Sequence, residues 1–520
     1  MNLACRIVQD GLLFSSLYLY QEARVYFEIN LKPITTKIIQ MYKYVHFFIG
    51  SLLVFIVSCN PKKEKVVEVV KDTPPNVLIL LTDQWRAQAT GYAGDPNVST
   101  PYLDSLAVKS VNFKNAVSGM PVCSPFRASL LTGQRPLTHG VFMNDVQLDT
   151  NAVTIAKVLA KKSYDTGYIG KWHLDGHGRL QNVAPGKRRQ GFEFWKGNEC
   201  THNYNESVYY DNDEPTRKVW EGYDTFEQTD AAIDYINEKK SSKNPFFMVV
   251  SYGTPHAPYH TAPEKYRNRF DPDEIVLRDN VPDNLKEQVK KDLTGYYAHI
   301  VAIDDMIGKV INSLKENGQL ENTIVVFTAD HGDLLGSHGA YKKQQPYEES
   351  ARVPMLYYIP EKLKIEAGER DALMNSEDIM PTILSLCDVP IPDTVEGIDY
   401  RSYLEGKEQV GDATLLSCVQ PFGQWNKVKH GAREYRAIKT KQYTYARDLK
   451  GPWLLFDNLK DPYQMNNLAD NTAYASLQND LDERLTKRLE ETGDEFLPGM
   501  EYIEKWGYPV DETGTVPYTN

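Results

Sequence analysis

The chain has 520 residues, of which 58 are Lys or Arg and 70 are Asp or Glu, so its formal net charge is −12. Hydrophobic residues make up 41% of the chain and charged residues 25%, which excludes a largely disordered or repetitive protein. Because nucleic acids are bound by basic surfaces, the acidic balance argues against nucleic acid as a partner. It still allows a small cationic pocket for an anionic substrate.

The longest apolar stretch lies near the amino terminus, where it predicts an export signal. Residues 45–57 are too few to span a bilayer comfortably but have the length of a signal-peptide core. The stretch ends in Ile56-Val57-Ser58-Cys59, which resembles a bacterial lipobox with its acylated cysteine. We therefore expect an exported lipoprotein, periplasmic or on the cell surface, that a lipid on Cys59 anchors to the membrane.

Met41 and Lys43 directly precede this stretch, so we interpret Met41 as the true start of the protein. The alternative is a genuine long extension or a transmembrane anchor. The predicted organisation is an upstream extension over residues 1–40, a signal peptide over 41–58, a polar tether over 59–74, a main domain over 75–414, and a C-terminal subdomain with a tail over 415–520.

Four apolar runs in the main domain are each followed by polar side chains. Such near-continuous apolar strands are typical of parallel sheets that are buried on both faces. Helical patterns over residues 152–162, 229–240 and 292–317 lie between them, which predicts an α/β sandwich. Ligands of such folds bind beyond the carboxyl ends of the strands. The runs and the residues that follow them are 77–81 with Asp83, 166–170 with Lys171 and His173, 245–251 with His256, and 323–328 with Asp330 and His331.

After about residue 415 the pattern changes to that of a smaller α+β subdomain. Residues 435–445 alternate as a strand does, and residues 453–456 form another short apolar run. Residues 477–491 have the pattern of one amphipathic charged helix, with Gly493 as its stop signal. We expect a short antiparallel sheet, this helix, and an irregular, Tyr-rich tail from Thr492.

The most specific local motif is Cys123-Ser-Pro-Phe-Arg127. It places a thiol just ahead of a helix that Pro125 can start, with Arg127 in the first turn. A helix N-terminus together with an arginine binds anions and activates a nucleophile located there. The alternative for a single cysteine in this position is a buried structural residue.

The run C-S-P-F-R-A-S-L-L-T-G over residues 123–133 resembles the signature of formylglycine-dependent sulfatases. The resemblance implies an alkaline-phosphatase-like α/β sandwich with a large, mainly parallel central sheet. It also implies that a formylglycine-generating maturase oxidises Cys123 to formylglycine, whose hydrated aldehyde attacks sulfur. Arg127 would hold this hydrate and neutralise charge. Gln134 stands where many members of the family have Arg, which we interpret as tolerated variation.

The resemblance further implies one bound Ca²⁺ per chain. Asp83-Gln84 and Asp330-His331 match the two metal pairs of the family. A hard divalent cation takes oxygen ligands, which the two aspartates, the Gln84 carbonyl and the modified Cys123 would supply. His331 stands at a position that is often Asn, so its ring can face either the metal or the sulfate.

Sulfate binding and proton transfer follow from two further matches to the family. The run G-K-W-H-L at residues 170–174 implies that Lys171 binds a sulfate oxygen. It also implies that His173 hydrogen-bonds the hydrated aldehyde and acts as the base that ejects sulfate. His256 in T-P-H-A-P would be the general acid on the leaving alcohol. Lys343 matches the second sulfate-binding lysine, although Lys342 beside it leaves this assignment open by one residue.

Residues 174–224 follow a catalytic strand and are rich in polar and aromatic side chains. We predict that this segment contacts a glycan substrate through His177, Arg179 and His202. The alternative is a surface insertion without a binding role.

The resemblance covers about residues 75–470 and predicts a sulfatase that removes sulfate monoesters from a sulfated polysaccharide or oligosaccharide. Two alternatives remain at the level of the sequence. One is a phosphonate or phosphate ester hydrolase of the same superfamily. The other is a sulfatase-like protein that binds glycans without turnover.

Overall fold

The computed structural model describes residues 73–425 and 432–517. The predicted upstream extension, the signal peptide, Cys59 and all but the last two residues of the tether lie outside these ranges. Within them, no helix is both long and apolar enough to cross a membrane. Pro74–Asn520 forms one compact unit.

A ten-stranded, mostly parallel sheet forms the centre of this unit, in the order β10-β2-β9-β8-β1-β7-β3-β4-β5-β6. Strands β8, β1, β7, β3 and β4 are parallel neighbours, whereas β9, β5 and β6 pair antiparallel to theirs. The strands are β1 (Asn76–Asp83), β2 (Ser110–Phe113), β3 (Asp165–Lys171), β4 (Phe194–Asn198), β5 (Val208–Asp211), β6 (Lys218–Val219), β7 (Phe246–Pro255), β8 (Thr323–Ala329), β9 (Met355–Tyr358) and β10 (Gly368–Arg370).

The four apolar runs of the sequence are the four adjacent strands β8, β1, β7 and β3, as the prediction of a parallel sheet requires. Every residue of β1, β7 and β8 is buried, because helices cover both faces of the sheet. Parallel strands end at the same edge, so the polar residues that follow each run are brought together there.

A glycine permits the close approach of β3 and β7 just before Lys171. Gly170 has a φ of 95°, and a Cβ at this position would lie 2.1 Å from the backbone oxygen of Ser251. A larger residue would therefore push Lys171 away from the edge where the polar residues converge.

Twelve α-helices are present in the described residues. The three helices predicted for the main domain correspond to α4 (Ile155–Ala160), α5 (Asp224–Lys239) and α7 (Lys286–Glu316), although α5 starts five and α7 six residues earlier than predicted. Thr154 caps α4 by accepting a hydrogen bond from the Lys157 N–H. The helices are α1 (Pro101–Val108), α2 (Cys123–Thr132), α3 (Pro136–His139), α4 (Ile155–Ala160), α5 (Asp224–Lys239), α6 (Glu264–Arg267), α7 (Lys286–Glu316), α8 (Glu348–Ala351), α9 (Ile379–Leu386), α10 (Arg401–Leu404), α11 (Ala475–Thr492) and α12 (Gly499–Trp506).

The C-terminal part contains the predicted short antiparallel sheet, built from β11 (Ala413–Cys418), β12 (Tyr435–Thr440), β13 (Tyr443–Asp448) and β14 (Gly451–Asp457). One face of this sheet packs against Val117 and Ala351, which precede it in the chain, and the other face packs against the leucines of α11. The sheet starts at Ala413, close to the predicted domain boundary at residue 415, and the boundary itself stays a prediction.

Two details of this part differ from the sequence analysis. The alternating pattern over residues 435–445 is a hairpin rather than one strand, because the Thr440 hydroxyl accepts hydrogen bonds from the N–H groups of Gln442 and Tyr443 and turns the chain. The tail is not wholly irregular, since α12 buries Tyr502 and Ile503 in the main core. Gly493 does end α11, with a φ of 66°.

Candidate active site

Helix α2 places Cys123 at its first residue, buried at the carboxyl edge of the large sheet. Gly133, in the left-handed conformation, ends this helix after 10 residues. The Cys123 Sγ lies 3.2 Å from Nε2 of His331 and 3.2 Å from Nζ of Lys343. The thiol is therefore surrounded by basic groups from two other parts of the chain.

Two residues at the ends of β1 and β3 complete the surroundings of this thiol. Nζ of Lys171 and Oδ1 of Asp83 each lie 3.7 Å from the Cys123 Sγ. Burial and Asp83 raise the pKa of the thiol, but Lys171, Lys343 and His331 lower that pKa further, to well below its ordinary value. A cysteine in such an environment is reactive rather than structural.

Arg127, one turn after Cys123, ties the helix to the strand ends. Its Nη2 donates to Oδ2 of Asp330 at 2.9 Å and to Oδ2 of Asp83 at 3.2 Å. Its Nη1 donates to the backbone oxygen of Lys171 at 2.8 Å and to Oγ of Ser251 at 2.7 Å. The observed partners of the guanidinium are therefore the carboxylates and the sheet edge, and the predicted contact with a hydrated residue 123 stays a prediction.

Four of the five predicted metal ligands form a tight group. One donor atom each from Asp83, Cys123, Asp330 and His331 lies within 4.8 Å of all the others, and all four residues are buried. Burial and the neighbouring Asp83 carboxylate raise the pKa of Asp330 to about 6. Two close carboxylates of this kind are both ionised most readily when a cation lies between them.

The fifth predicted ligand, Gln84, has its amide orientation fixed by hydrogen bonds. Its Nε2 donates to Oδ2 of Asp333 at 2.6 Å, and Asp333 also accepts from the Tyr259 hydroxyl. The Gln84 Oε1 accordingly points to the other side, where Nζ of Lys343 lies at 3.4 Å. Asp333 is not among the predicted site residues, although it lies only three residues after Asp330.

These donors fit a divalent cation. Asp83, Asp330 and the Gln84 carbonyl offer the oxygens that a hard cation prefers. His331 offers a nitrogen, because its Nδ1 donates to the backbone oxygen of Gly332 at 2.8 Å and leaves Nε2 facing the group. The donor set supports a metal site without identifying the ion.

His173 lies two residues after Lys171. It is 1% exposed and lines the cleft above Cys123. Its Nε2 lies 3.2 Å from Oδ1 of Asp145, and its Nδ1 has no hydrogen-bond partner among the described residues. Burial lowers the pKa of His173, but the charge of Cys200 and the Asp145 hydrogen bond outweigh it and raise the pKa to about 9. Lys171 itself donates to Oδ2 of Asp83 at 2.6 Å.

His256 lines the same cleft and directly follows β7. Its Nδ1 donates to the backbone oxygen of Ala257 at 2.7 Å, and its ring stacks on that of His202 with centroids 4.5 Å apart. Burial and the charges of Lys343 and His202 lower the pKa of His256 well below its ordinary value. The ring is thus neutral until a negative charge is bound near it.

The cleft above Cys123 has a volume of about 230 Å³. Of the three predicted glycan contacts, Arg179 and His202 line it and His177 does not, and the contact with a glycan itself stays a prediction. The His177 side chain is 50% exposed and its Nδ1 contacts the backbone oxygen of Asp175. Both lysines of the ambiguous pair line the cleft, and Lys343 is the one that contacts Cys123. The rest of the lining has no motif in the sequence and was not predicted; it consists of Asn144, Asp145, Gln344, Phe422, Gly423, Trp425 and Thr515.

Comparison with known proteins identifies the family. The Sulfatase family model matches residues 75–389, and the model of the N-sulphoglucosamine sulphohydrolase C-terminal region matches residues 336–491. An ulvan-active sulfatase from Formosa agariphila is 44% identical over 467 residues, which are 89% of this chain and 90% of that protein. An endo-4-O-sulfatase from Bacteroides thetaiotaomicron is 30% identical over 477 residues, covering 81% of this chain and 92% of that protein.

Solved structures agree on the fold. The yidJ protein of Bacteroides fragilis superimposes with a TM-score of 0.74 at 31% identity, covering 83% of this chain and 98% of that one. The large mixed sheet with its smaller antiparallel sheet is the alkaline-phosphatase-like arrangement that the resemblance implied. The chain belongs to the sulfatase family and is a sulfuric ester hydrolase.

Proposed function

We propose that this sulfatase hydrolyses sulfate monoesters on a polysaccharide or oligosaccharide, with formylglycine made from Cys123 and one bound Ca²⁺. The observation that carries this proposal is the environment of the Cys123 Sγ. Two lysines and a histidine surround it beneath an open cleft, and a pair of carboxylates lies directly behind it. A buried thiol with only a packing role does not require charged groups around its sulfur.

A glycan substrate is supported by two observations. The relatives named above include a sulfatase active on ulvan and an endo-acting 4-O-sulfatase. The cleft is lined by the aromatic side chains of Phe422 and Trp425 as well as by the polar side chains of Arg179 and His202. Aromatic rings beside polar groups suit the faces and hydroxyls of sugars.

The cationic side chains bind and polarise the sulfate group. Lys171 and Lys343 both lie next to the nucleophile position, where they neutralise the non-bridging oxygens as charge shifts in the transition state. When bound, Ca²⁺ would be held by Asp83, Gln84, Asp330 and His331 and would add Lewis-acid stabilisation of the same oxygens. Formylglycine, when present at residue 123, supplies a hydroxyl nucleophile that water regenerates after each turnover.

Two histidines that line the cleft move protons. His256 protonates the leaving alcohol, because the bound sulfate ester brings negative charge that raises the pKa of its ring. His173 is hydrogen-bonded to Asp145 through Nε2, so its Nδ1 is the atom through which the ring exchanges a proton with residue 123. Arg127 holds Asp83 and Asp330 in place through its ion pairs during both proton transfers.

We also propose that the protein is exported and anchored by lipid at Cys59, and that a formylglycine-generating maturase acts on it. The lipobox-like ending of the apolar stretch and the C-x-P-x-R motif at residues 123–127 support these two points.

We expect purified protein co-expressed with a maturase to release inorganic sulfate from at least one member of a panel of sulfated oligosaccharides. Cys123→Ala should abolish this release without lowering the melting temperature by more than a few degrees, because it removes the nucleophile and one buried sulfur. Cys387→Ala, at a buried thiol outside the cleft, is the matched control and should keep wild-type turnover. Faster release of phosphate from matched phosphate or phosphonate esters would contradict the proposal.

Mass spectrometry of the same preparation tests the covalent chemistry. The peptide that contains Cys123 should show oxidation of its thiol to an aldehyde, because only that cysteine follows the family motif. Peptides with Cys200 and Cys387 should keep their thiols and serve as internal controls. Protein isolated from membranes of the native host should begin at an acylated Cys59. An unmodified Cys123 in active protein would overturn the formylglycine step.

Removal of the metal should destabilise the protein as well as inactivate it. A ligand at 100 times its dissociation constant stabilises the folded state by about 2.7 kcal/mol, so chelation should lower the melting temperature and added Ca²⁺ should restore it. Asp330→Asn should abolish this response to Ca²⁺, whereas Asp283→Asn at an exposed carboxylate should keep it. A wild-type melting temperature that ignores both chelator and Ca²⁺ would refute the site.

His256→Ala should harm substrates with poor leaving groups most. General acid catalysis contributes about 10²–10⁴-fold, so sulfate release from a sugar should fall by about that factor. Turnover of an activated aryl sulfate should fall much less, because its phenolate leaves without a proton. The exposed His260→Ala is the control and should affect neither substrate. Equal losses on both substrates would count against His256 as the acid.

A further inference from the structure

We propose that Asp145 is a positioning residue of this sulfatase, whose carboxylate holds the ring of His173 and the guanidinium of Arg179 in one fixed arrangement. The inference rests on the proposed role of His173 as the base. Asp145 belongs to no motif in the sequence and lies in the loop between α3 and α4. It is 28 residues before His173 and 34 residues before Arg179.

Both carboxylate oxygens of Asp145 are engaged. Oδ1 lies 3.2 Å from Nε2 of His173 and accepts a hydrogen bond from Nε of Arg179 at 2.8 Å. Oδ2 accepts from Nη2 of Arg179 at 2.7 Å. The Arg179 contact is therefore bidentate, which fixes the plane of the carboxylate as well as its distance. The side chain of Asp145 is only 11% exposed, so water competes little for these contacts.

This geometry selects one proton arrangement on the His173 ring. A carboxylate held ionised by a bidentate arginine only accepts hydrogen bonds, so Nε2 of His173 must carry the proton that points at Asp145. In the neutral ring, Nδ1 then keeps its lone pair. That atom is buried and has no hydrogen-bond partner among the described residues, and His173 lines the cleft together with Cys123. Nδ1 is thus the atom through which the ring exchanges a proton with the reacting residue.

The backbone on both sides of the contact is held in an unusual conformation. Asp145 has a φ of 65° and His173 a φ of 60°, in the left-handed region that non-glycine residues rarely adopt. Strained residues of this kind persist where the surrounding structure determines them and where function needs the geometry. Two such residues in direct contact indicate that the pair is built for a defined placement of the histidine.

Arg179 links this pair to the substrate side of the cleft. The backbone oxygen of Arg179 accepts a hydrogen bond from the N–H of Cys200 at 3.0 Å, which anchors its loop to the chain after β4. Its side chain lines the cleft, so the carboxylate that orients the base also orients a cationic wall. If Asp145 served only to form a salt bridge with Arg179, neither its contact with His173 nor the left-handed backbone conformation of His173 would be required.

A double-mutant cycle tests the proposal. Asp145→Asn keeps the shape of the side chain but can no longer hold Arg179 through two acceptor oxygens and offers His173 an amide. Outer partners of catalytic groups typically contribute 10- to 100-fold, so we expect kcat to fall by about that factor on both an aryl sulfate and the sulfated oligosaccharide. KM for the aryl sulfate should stay unchanged. The variant Asp145→Asn/His173→Ala should be no slower than His173→Ala alone, because Asp145 acts through the histidine.

Arg179→Ala is the matched comparison, because it removes the other partner of the same carboxylate. It should raise KM for the oligosaccharide and leave kcat on the aryl sulfate much less affected than Asp145→Asn does. If Asp145→Asn does not fold, as judged by its melting temperature, Asp145→Ser takes its place in the cycle.

Three outcomes would overturn the proposal. The first is that Asp145→Asn merely copies the KM effect of Arg179→Ala. The second is that its loss multiplies with that of His173→Ala in the double variant. The third is a fully active His173→Ala, which would remove the base and its positioning residue together. Absence of any sulfate release by wild-type protein would instead refute the proposed function, so the two failures are distinguishable.

Discussion

The guanidinium of Arg127 is the group on which the rest of the site depends. It is 2% exposed and lies between the carboxylates of Asp83 and Asp330, while it also donates to the ends of β3 and β7. Loss of one partner from a buried ion pair typically costs about 3–5 kcal/mol, because the remaining charge stays buried. Since Arg127 lies one helical turn after Cys123, the same contacts that neutralise the carboxylates fix the start of α2.

The side chains around Cys123 carry more positive than negative charge, although the chain as a whole is acidic. Three buried cations, Arg127, Lys171 and Lys343, lie close to two buried carboxylates, in a protein whose formal net charge is −12. A low-dielectric cleft concentrates such a local field, so a sulfate ester is attracted although the rest of the surface repels it.

Much of the fold was predictable because its signals are local. Buried parallel strands are apolar along their whole length, and the four apolar runs are indeed the adjacent strands β8, β1, β7 and β3. The alternating pattern predicts one strand where the structure has a hairpin at residues 435–448, because Thr440, whose side chain turns the chain, is an ordinary strand residue in the sequence. The helix at Gly499–Trp506 was missed because it depends on packing against a core formed by distant residues.

The sequence by itself determined the family motif, the residue types at the strand ends, and hence the group of Asp83, Cys123, Lys171, His173, His256, Asp330 and His331. These follow from local spacing, because each lies directly after a recognisable strand or at the start of a helix. Only the tertiary structure decided that Lys343 rather than Lys342 contacts Cys123, that His177 lies outside the cleft, and that Asp145 and Asp333 orient His173 and Gln84. The physical reason is that distance and direction in space determine which groups form hydrogen bonds. Residues far apart in the chain carry no local sequence pattern that identifies their partners.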